Sequence, residues 1–141
     1  MIVTQPKELI AAFVNMRQGL PHDNPWGNFT AIGLVRADTL VAGLIYNNAA
    51  NTNICVHIGA VDGHRWGTPE FLFAAFDYPF NQLGMTRLTA SVRSKNERMQ
   101  AIVKKLGFSY EGTLREFYED DDLKLYGLLK RECKYLMRKA A

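Results

Sequence analysis

The feature that most constrains this chain is a change of period near its middle. Three short apolar runs, residues 29 to 36 (FTAIGLVR), 39 to 47 (TLVAGLIYN) and 53 to 61 (NICVHIGAV), are separated only by Ala37-Asp38 and by NNAANT. Runs of that length broken by turn residues predict consecutive strands joined by hairpins. Residues 69 to 83, PEFLFAAFDYPFNQL, are instead apolar nearly all round. That is the pattern of a helix buried on most of its surface, with Pro79 kinking its last turn. Residues 86 to 94, TRLTASVRS, then alternate like a strand. A chain that switches between these periods predicts a mixed sheet with helices packed on it.

The flanking segments extend that layout. Thr4, Pro6 and the apolar positions Leu9, Ile10, Phe13, Val14 and Met16 predict a helix capped by Thr4 and ended at Gly19. GLPHDNPWGN, residues 19 to 28, reads as loop. Asn96 caps a second amphipathic helix, NERMQAIVKKL, stopped by Gly107. Strands are expected over 108 to 118 and 123 to 129, joined by the acidic turn EDDD, and a short basic helix over 130 to 139 closes the chain. The expected class is α/β (α+β), with helices flanking one central sheet.

Composition narrows the function classes. With 141 residues and 48% apolar content the chain can bury one core, so a single domain over residues 1 to 141 is expected. No uncharged stretch approaches the ~20 residues that cross a bilayer, and MIVTQPKELIAAFVNM lacks the basic lead and cleavage site of a secretory signal. A cytoplasmic protein without a membrane partner is expected. The net charge of +3 is unevenly placed, five acids falling in EFYEDDD (116 to 122) and five bases in KRECKYLMRK (130 to 139). Without a longer basic face interleaved with aromatics, nucleic acid is not the expected partner. Cys55 and Cys133 form no Cys-x-x-Cys pair and read as thiols in a reducing compartment.

DGHRWGTPE, residues 62 to 70, leads from the third strand run into the buried helix. The N-H groups at such a helix start favour an anion, and His64 and Arg65 add positive charge. A phosphate-bearing ligand is one reading of this loop. The other is an ordinary turn in which Trp66 packs down and Thr68 caps the helix. His57, Asp62 and His64 lack a further ligand at recognisable metal spacing, so no metal site is expected. No Gly-x-Ser-x-Gly elbow is present, and neither cysteine has a histidine beside it.

The stretch NERMQAIVKKLGFSYEGTLREFYEDDDLKLYGLL, beginning at Asn96, carries more. Its Asn, Lys-Leu-Gly-Phe, Glu-Gly-x-Leu-Arg and final Tyr-x-Leu-Leu elements closely resemble the C-terminal half of Gcn5-related N-acetyltransferases (GNATs). The resemblance is strongest to the branch that acetylates ribosomal-protein N-termini. It extends back through Glu70, Tyr78-Pro79-Phe80 and Leu83-Gly84 at the family's spacing, so it covers residues 64 to 129. The resemblance implies a mixed, mostly antiparallel sheet whose fourth and fifth strands splay around the pantetheine arm of acetyl coenzyme A (acetyl-CoA). Carried over, Ile58, Ala60 and Val61 meet that arm with backbone groups, His64, Arg65, Trp66, Gly67 and Thr68 wrap the pyrophosphate, and Asn96 contacts the coenzyme beyond the fifth strand. The loop departs from the pattern: His64 and Trp66 stand where the family has glycines, and Gly67 falls one position late.

The usual thiolate acids of the family are also replaced, a tyrosine by Val103 and a serine by Met99. Glu116 and Tyr118, in the segment where the family places acid/base groups, are the candidates that remain, with His57 as a base acting through water. The pattern favours His57 as a core histidine held by a neighbour over a base, and Tyr126 as a packed aromatic over a catalyst. Glu111 is a candidate structural partner for Arg115 or Arg87. His22, Asp23 and Trp26 either line an acceptor pocket or anchor a surface loop. The expected activity is direct acetyl transfer to a primary amine, on a protein N-terminus, a lysine or a small molecule. The acidic turn is either a solvated tip or a lure for a cationic acceptor. A non-catalytic GNAT-fold interaction module is the alternative, and monomer and homodimer both remain open.

Overall fold

In the computed structural model, which describes residues 1–136, every strand joins one seven-stranded sheet of order β1-β2-β3-β4-β5-β7-β6. The strands are β1 (Ile2–Val3), β2 (Phe29–Arg36), β3 (Thr39–Ala50), β4 (Asn53–Ala60), β5 (Arg87–Arg93), β6 (Ser109–Leu114) and β7 (Leu123–Leu129). Only β4 and β5 pair in parallel, with α2 (Pro69–Asp77) in the crossover. The β2-β3 hairpin turns on Ala37 and Asp38, both with positive φ. That is the two-residue turn whose twist suits antiparallel strands.

Strand alternation sorts the side chains onto two faces. Ile54, Val56, Ile58 and Ala60 of β4, with Ala42, Leu44 and Tyr46 of β3, join the main core under α2 and α3 (Glu97–Leu106). The opposite face carries α1 (Lys7–Arg17), where Ile10, Ala11 and Val14 pack with Ala31 and Ile45. Gly33, Gly43 and Gly59 pair side by side across β2, β3 and β4 beneath this helix. A Cβ on Gly59 would stand 3.0 Å from the Val14 Cα and 3.1 Å from the Arg17 Cβ. The row of glycines therefore lets α1 lie almost on the strands, and its last turn rests on β4.

Several boundaries differ from expectation. The edge strand β1 precedes α1, and Thr4 does not cap it: the N-cap position is Pro6, which makes no side-chain cap, while Gln5 Oε1 accepts the Lys7 N-H at 3.2 Å. The buried helix is α-helical only to Asp77, and Tyr78–Gln82 continue as one π-turn, closed by the Leu83 N-H on the Tyr78 carbonyl at 3.0 Å. Pro79, lacking an N-H, sits inside that wider turn. Strand β6 stops at Leu114 and not at residue 118, because Glu116 takes a left-handed φ of 54°. The expected C-terminal helix is reduced to a 3-10 turn, Lys130–Glu132, after which Cys133 is extended and Tyr135 stacks on Phe76 at 5.4 Å. Residues 137 to 139 of that expected helix lie outside the described residues.

Helix α3 forms as its sequence requires. Asn96 Oδ1 accepts the Met99 N-H at 3.1 Å, and Gly107 closes the helix at φ 110°. Between these caps, Met99, Val103 and Leu106 are buried against the sheet. Among the described residues no helix is long and apolar enough to cross a membrane.

Candidate active site

The site begins where β4 and β5 part. They pair from Asn53↔Arg87 to Val56↔Ala90 and no further, although β4 runs on to Ala60 and β5 to Arg93. Along the unpaired stretch, Ile58 and Ala60 present carbonyls that a fifth strand would otherwise approach. Gln18 Nε2 donates to the Ile58 carbonyl at 3.0 Å, and Arg17 Nε donates to that of Ala60 at 2.9 Å. A small cavity along the β5 side of this parting is lined by Gln18, Ser91, Arg93, Asn96, Met99 and Tyr118. Its free volume is about 20 Å³, room for roughly one water.

The far ends of the two strands are tied by charge. Asp62, just after β4, pairs with Arg17 at 3.4 Å and with Arg98, in the first turn of α3, at 2.7 Å. All three side chains are substantially exposed, so the pairs orient the loop more than they stabilise it. The next residues form the loop into α2, where Gly63 has a positive φ of 79°. Thr68 Oγ1 caps α2 by accepting the Phe71 N-H at 3.2 Å. Trp66 is turned into the core, edge-on to Phe71 at 6.2 Å between ring centres. His64 and Arg65 are exposed. Among the described residues none offers an acceptor to the N-H groups of residues 63 to 67.

The wall opposite β4 is built by the acidic turn. Its backbone and side chains bind the β5-α3 loop: the Asp122 carbonyl accepts the Ser94 N-H at 3.0 Å, and Asp121 Oδ2 accepts the Lys95 N-H at 3.0 Å. Asp122 Oδ1 accepts the Glu116 N-H at 2.7 Å, which holds the left-handed turn. The turn is thus docked rather than free. It carries Tyr118 to the cavity, with the Arg93 guanidinium stacked 3.7 Å from the ring centre. Burial raises the Tyr118 pKa, an effect that Arg93 opposes and Asp121 reinforces. The phenol therefore stays protonated at neutral pH.

On the α1 face a buried polar chain runs from the sheet to the 19 to 28 loop. His57 Nε2 lies 2.9 Å from Asn47 Oδ1, Asn47 Nδ2 donates to the Trp26 carbonyl at 3.1 Å, and Trp26 Nε1 donates to Asn15 Oδ1 at 2.7 Å. Asn15 Nδ2 in turn donates to the His22 carbonyl at 3.0 Å. Because Asn47 spends its amide on Trp26, its oxygen must accept from His57, which fixes the proton on Nε2. Burial lowers the His57 pKa to about 4.

The acetyltransferase (GNAT) domain family matches residues 4–109 of this sequence, most of the chain. The chain belongs to that family. Its fold is similar to that of a chimera of the Vibrio cholerae spermidine N-acetyltransferase SpeG and hSSAT, at 15% identity and a TM-score of 0.69, over 97% of this chain and 99% of that one. It is similar too to the ribosomal-protein-S5-alanine acetyltransferase of Vibrio fischeri, at 14% identity and a TM-score of 0.69, over 94% of each chain. A SpeG variant from Vibrio cholerae reaches 21% identity, with a TM-score of 0.64 over 82% of this chain and 70% of that one. No curated protein sequence is significantly similar to this chain.

Within this GNAT domain the candidates named from the sequence do not all meet. Ile58, Ala60, Asn96 and Tyr118 surround the parting of β4 and β5. The Asn96 side chain is engaged in capping α3, and Trp66 in the core. Glu116 is exposed on the turn and does not line the cavity. His57 sits on the α1 face, held by Asn47 and packed on Trp26 with ring centres 4.4 Å apart. Val103 and Met99, at the family's usual acid positions, are both buried. Glu111 pairs with Arg87 across Gly127, whose missing Cβ leaves room for the two side chains. Arg17, Gln18 and Arg98 were not visible as site residues, because their partners lie on other elements.

Proposed function

We propose that this GNAT domain is an acetyl-CoA-dependent N-acetyltransferase that acts in the cytoplasm on a primary amine. The observation that carries this reading is the parting of β4 from β5 after Val56 and Ala90, which leaves the carbonyls of Ile58 and Ala60 meeting amide and guanidinium N-H donors. A pantetheine arm offers N-H donors of the same kind, so the donor set fits this strand edge. The residues that would hold the coenzyme are Ile58, Ala60 and Val61 along its arm and the amides of residues 63 to 67 at its pyrophosphate, with His64 and Arg65 adding charge. When bound, acetyl-CoA supplies the activated acetyl thioester.

The chain's own groups then do the rest. Tyr118, protonated and at the edge of the cavity, would hold the proton that a leaving thiolate needs. The attacking amine has to arrive neutral. His57, neutral above about pH 4, presents Nδ1 as its one free acceptor, and serves as a relay to water rather than as a strong base. The 19 to 28 loop, anchored by Trp26, forms the side from which the acceptor enters. The acceptor is a protein N-terminus, a lysine or a small amine.

Val103 and Met99, which carry no proton to donate where the family's usual acids stand, and the missing loop glycines favour a second reading, an interaction module that holds coenzyme without turnover. Release of free thiol from acetyl-CoA, followed with a panel of polyamines, lysine esters and N-terminal peptides, separates the two. Amine-dependent thiol release supports the enzyme. Its absence across the panel, with coenzyme bound, favours the module.

A further inference from the structure

We propose that Gln18 is a displaceable side-chain plug in the coenzyme channel, so that acetyl-CoA binds only once the Gln18 carboxamide swings off β4. The inference rests on the reading of the β4-β5 cleft given above. A side-chain carboxamide is chemically close to the secondary amides of a pantetheine arm, and the Gln18 Nε2 takes the Ile58 carbonyl at 3.0 Å. It therefore occupies the hydrogen-bonding position that the arm needs. On its β5 side Gln18 also lines a cavity with room for only about 20 Å³, roughly one water, so its side chain fills the space next to that carbonyl. That hydrogen bond must break before the arm can take the Ile58 carbonyl.

The geometry makes Gln18 the group that leaves. The strands themselves are fixed, β4 by its ladder to β3 and β5 by seven partners on β7. Asn96 is committed to the α3 cap, Met99 is buried, and Arg93 is stacked on Tyr118. Gln18, by contrast, is the half-buried C-cap residue of α1, followed directly by Gly19 at φ 72°. Its side chain can swing out by rotamer changes alone, while its backbone N-H keeps the Val14 carbonyl at 3.0 Å. Arg17 forms the second half of the plug on Ala60, steadied by Asp62. Gly59 explains how both reach: without a Cβ on that residue, the last turn of α1 rests directly on β4.

The test is calorimetric titration of coenzyme A into the full chain and into Gln18→Ala and Gln18→Met. Removing one net hydrogen bond that the ligand must displace tightens binding by about three- to tenfold, with most of the gain in the association rate. Both variants are expected to show this, since neither can donate to the Ile58 carbonyl. Weaker or equal binding by both overturns the plug, the weaker case making Gln18 a coenzyme contact instead. A cooperative thermal transition near that of the unaltered chain checks that each variant is folded. The side-chain amide of Gln18 gives an independent reading by NMR: its exchange protection is expected to fall when coenzyme saturates the unaltered chain, and unchanged protection overturns the plug. If only the variants bind coenzyme, the plug stands in a stronger form. If neither the unaltered chain nor the variants bind, the plug and the coenzyme reading fall together.

Discussion

His57 Nε2 and Asn47 Oδ1 stand 2.9 Å apart in a part-buried pair, and the asparagine's other end is fixed to the Trp26 carbonyl. The imidazole is therefore held neutral with its proton toward Asn47. Burial places its folded pKa near 4, below the ordinary imidazole value of about 6.5. The unfolded chain then binds more protons between those values, so stability is full above about pH 6.5 and is lost as pH falls toward 4. The shift corresponds to roughly 3 kcal/mol at most. Urea unfolding across that range is expected to show the slope, and His57→Gln is expected to flatten it.

Asn15 closes the same chain from the helix side. Replacing it with alanine strands the Trp26 N-H and removes the donor to the His22 and Asn24 carbonyls. We expect Asn15→Ala to cost about 2 to 3 kcal/mol in urea unfolding. Trp26 fluorescence is expected to shift red as the 19 to 28 loop loosens.

Gly59→Ala and Gly67→Ala make a paired test of close approach. A Cβ on Gly59 meets the Val14 backbone at 3.0 Å, whereas one on Gly67 meets only the Leu72 Cδ1 at 3.8 Å. The first is expected to destabilise by about 1 to 3 kcal/mol because α1 must lift. The second is expected to unfold at the same temperature as the unaltered chain.

Tyr118→Phe keeps the ring under Arg93 and removes only the hydroxyl. Turnover is expected to fall by about a hundredfold with coenzyme affinity retained, the loss typical of a missing proton donor. Loss of affinity instead, with the maximal rate kept, makes Tyr118 a binding residue.

Much of this was legible before the structure, and the reasons differ by element. The hairpin strands and α3 announced themselves because apolar period and caps coincide, as at Asn96 and Gly107. The face of His57 could also have been read, since Ile54, Val56 and Ile58 alternate with Cys55, His57 and Gly59. Strand β1 could not, because two residues carry no period. The end of β6 depends on Asp121 and Asp122 binding backbone N-H groups at Lys95 and Glu116, contacts that the sequence does not display. The same holds for Gln18 and Ile58, forty residues apart and joined only by the fold. The loop into α2 offered two uses for Trp66, and the choice of core depends on Phe71.

The central claim is that the parted strands hold a coenzyme, and calorimetric titration with acetyl-CoA tests it most directly. Saturable binding with a micromolar dissociation constant, weakened by Arg65→Ala, is the predicted result. No heat of binding at millimolar acetyl-CoA, from the unaltered chain and from Gln18→Ala alike, would contradict it.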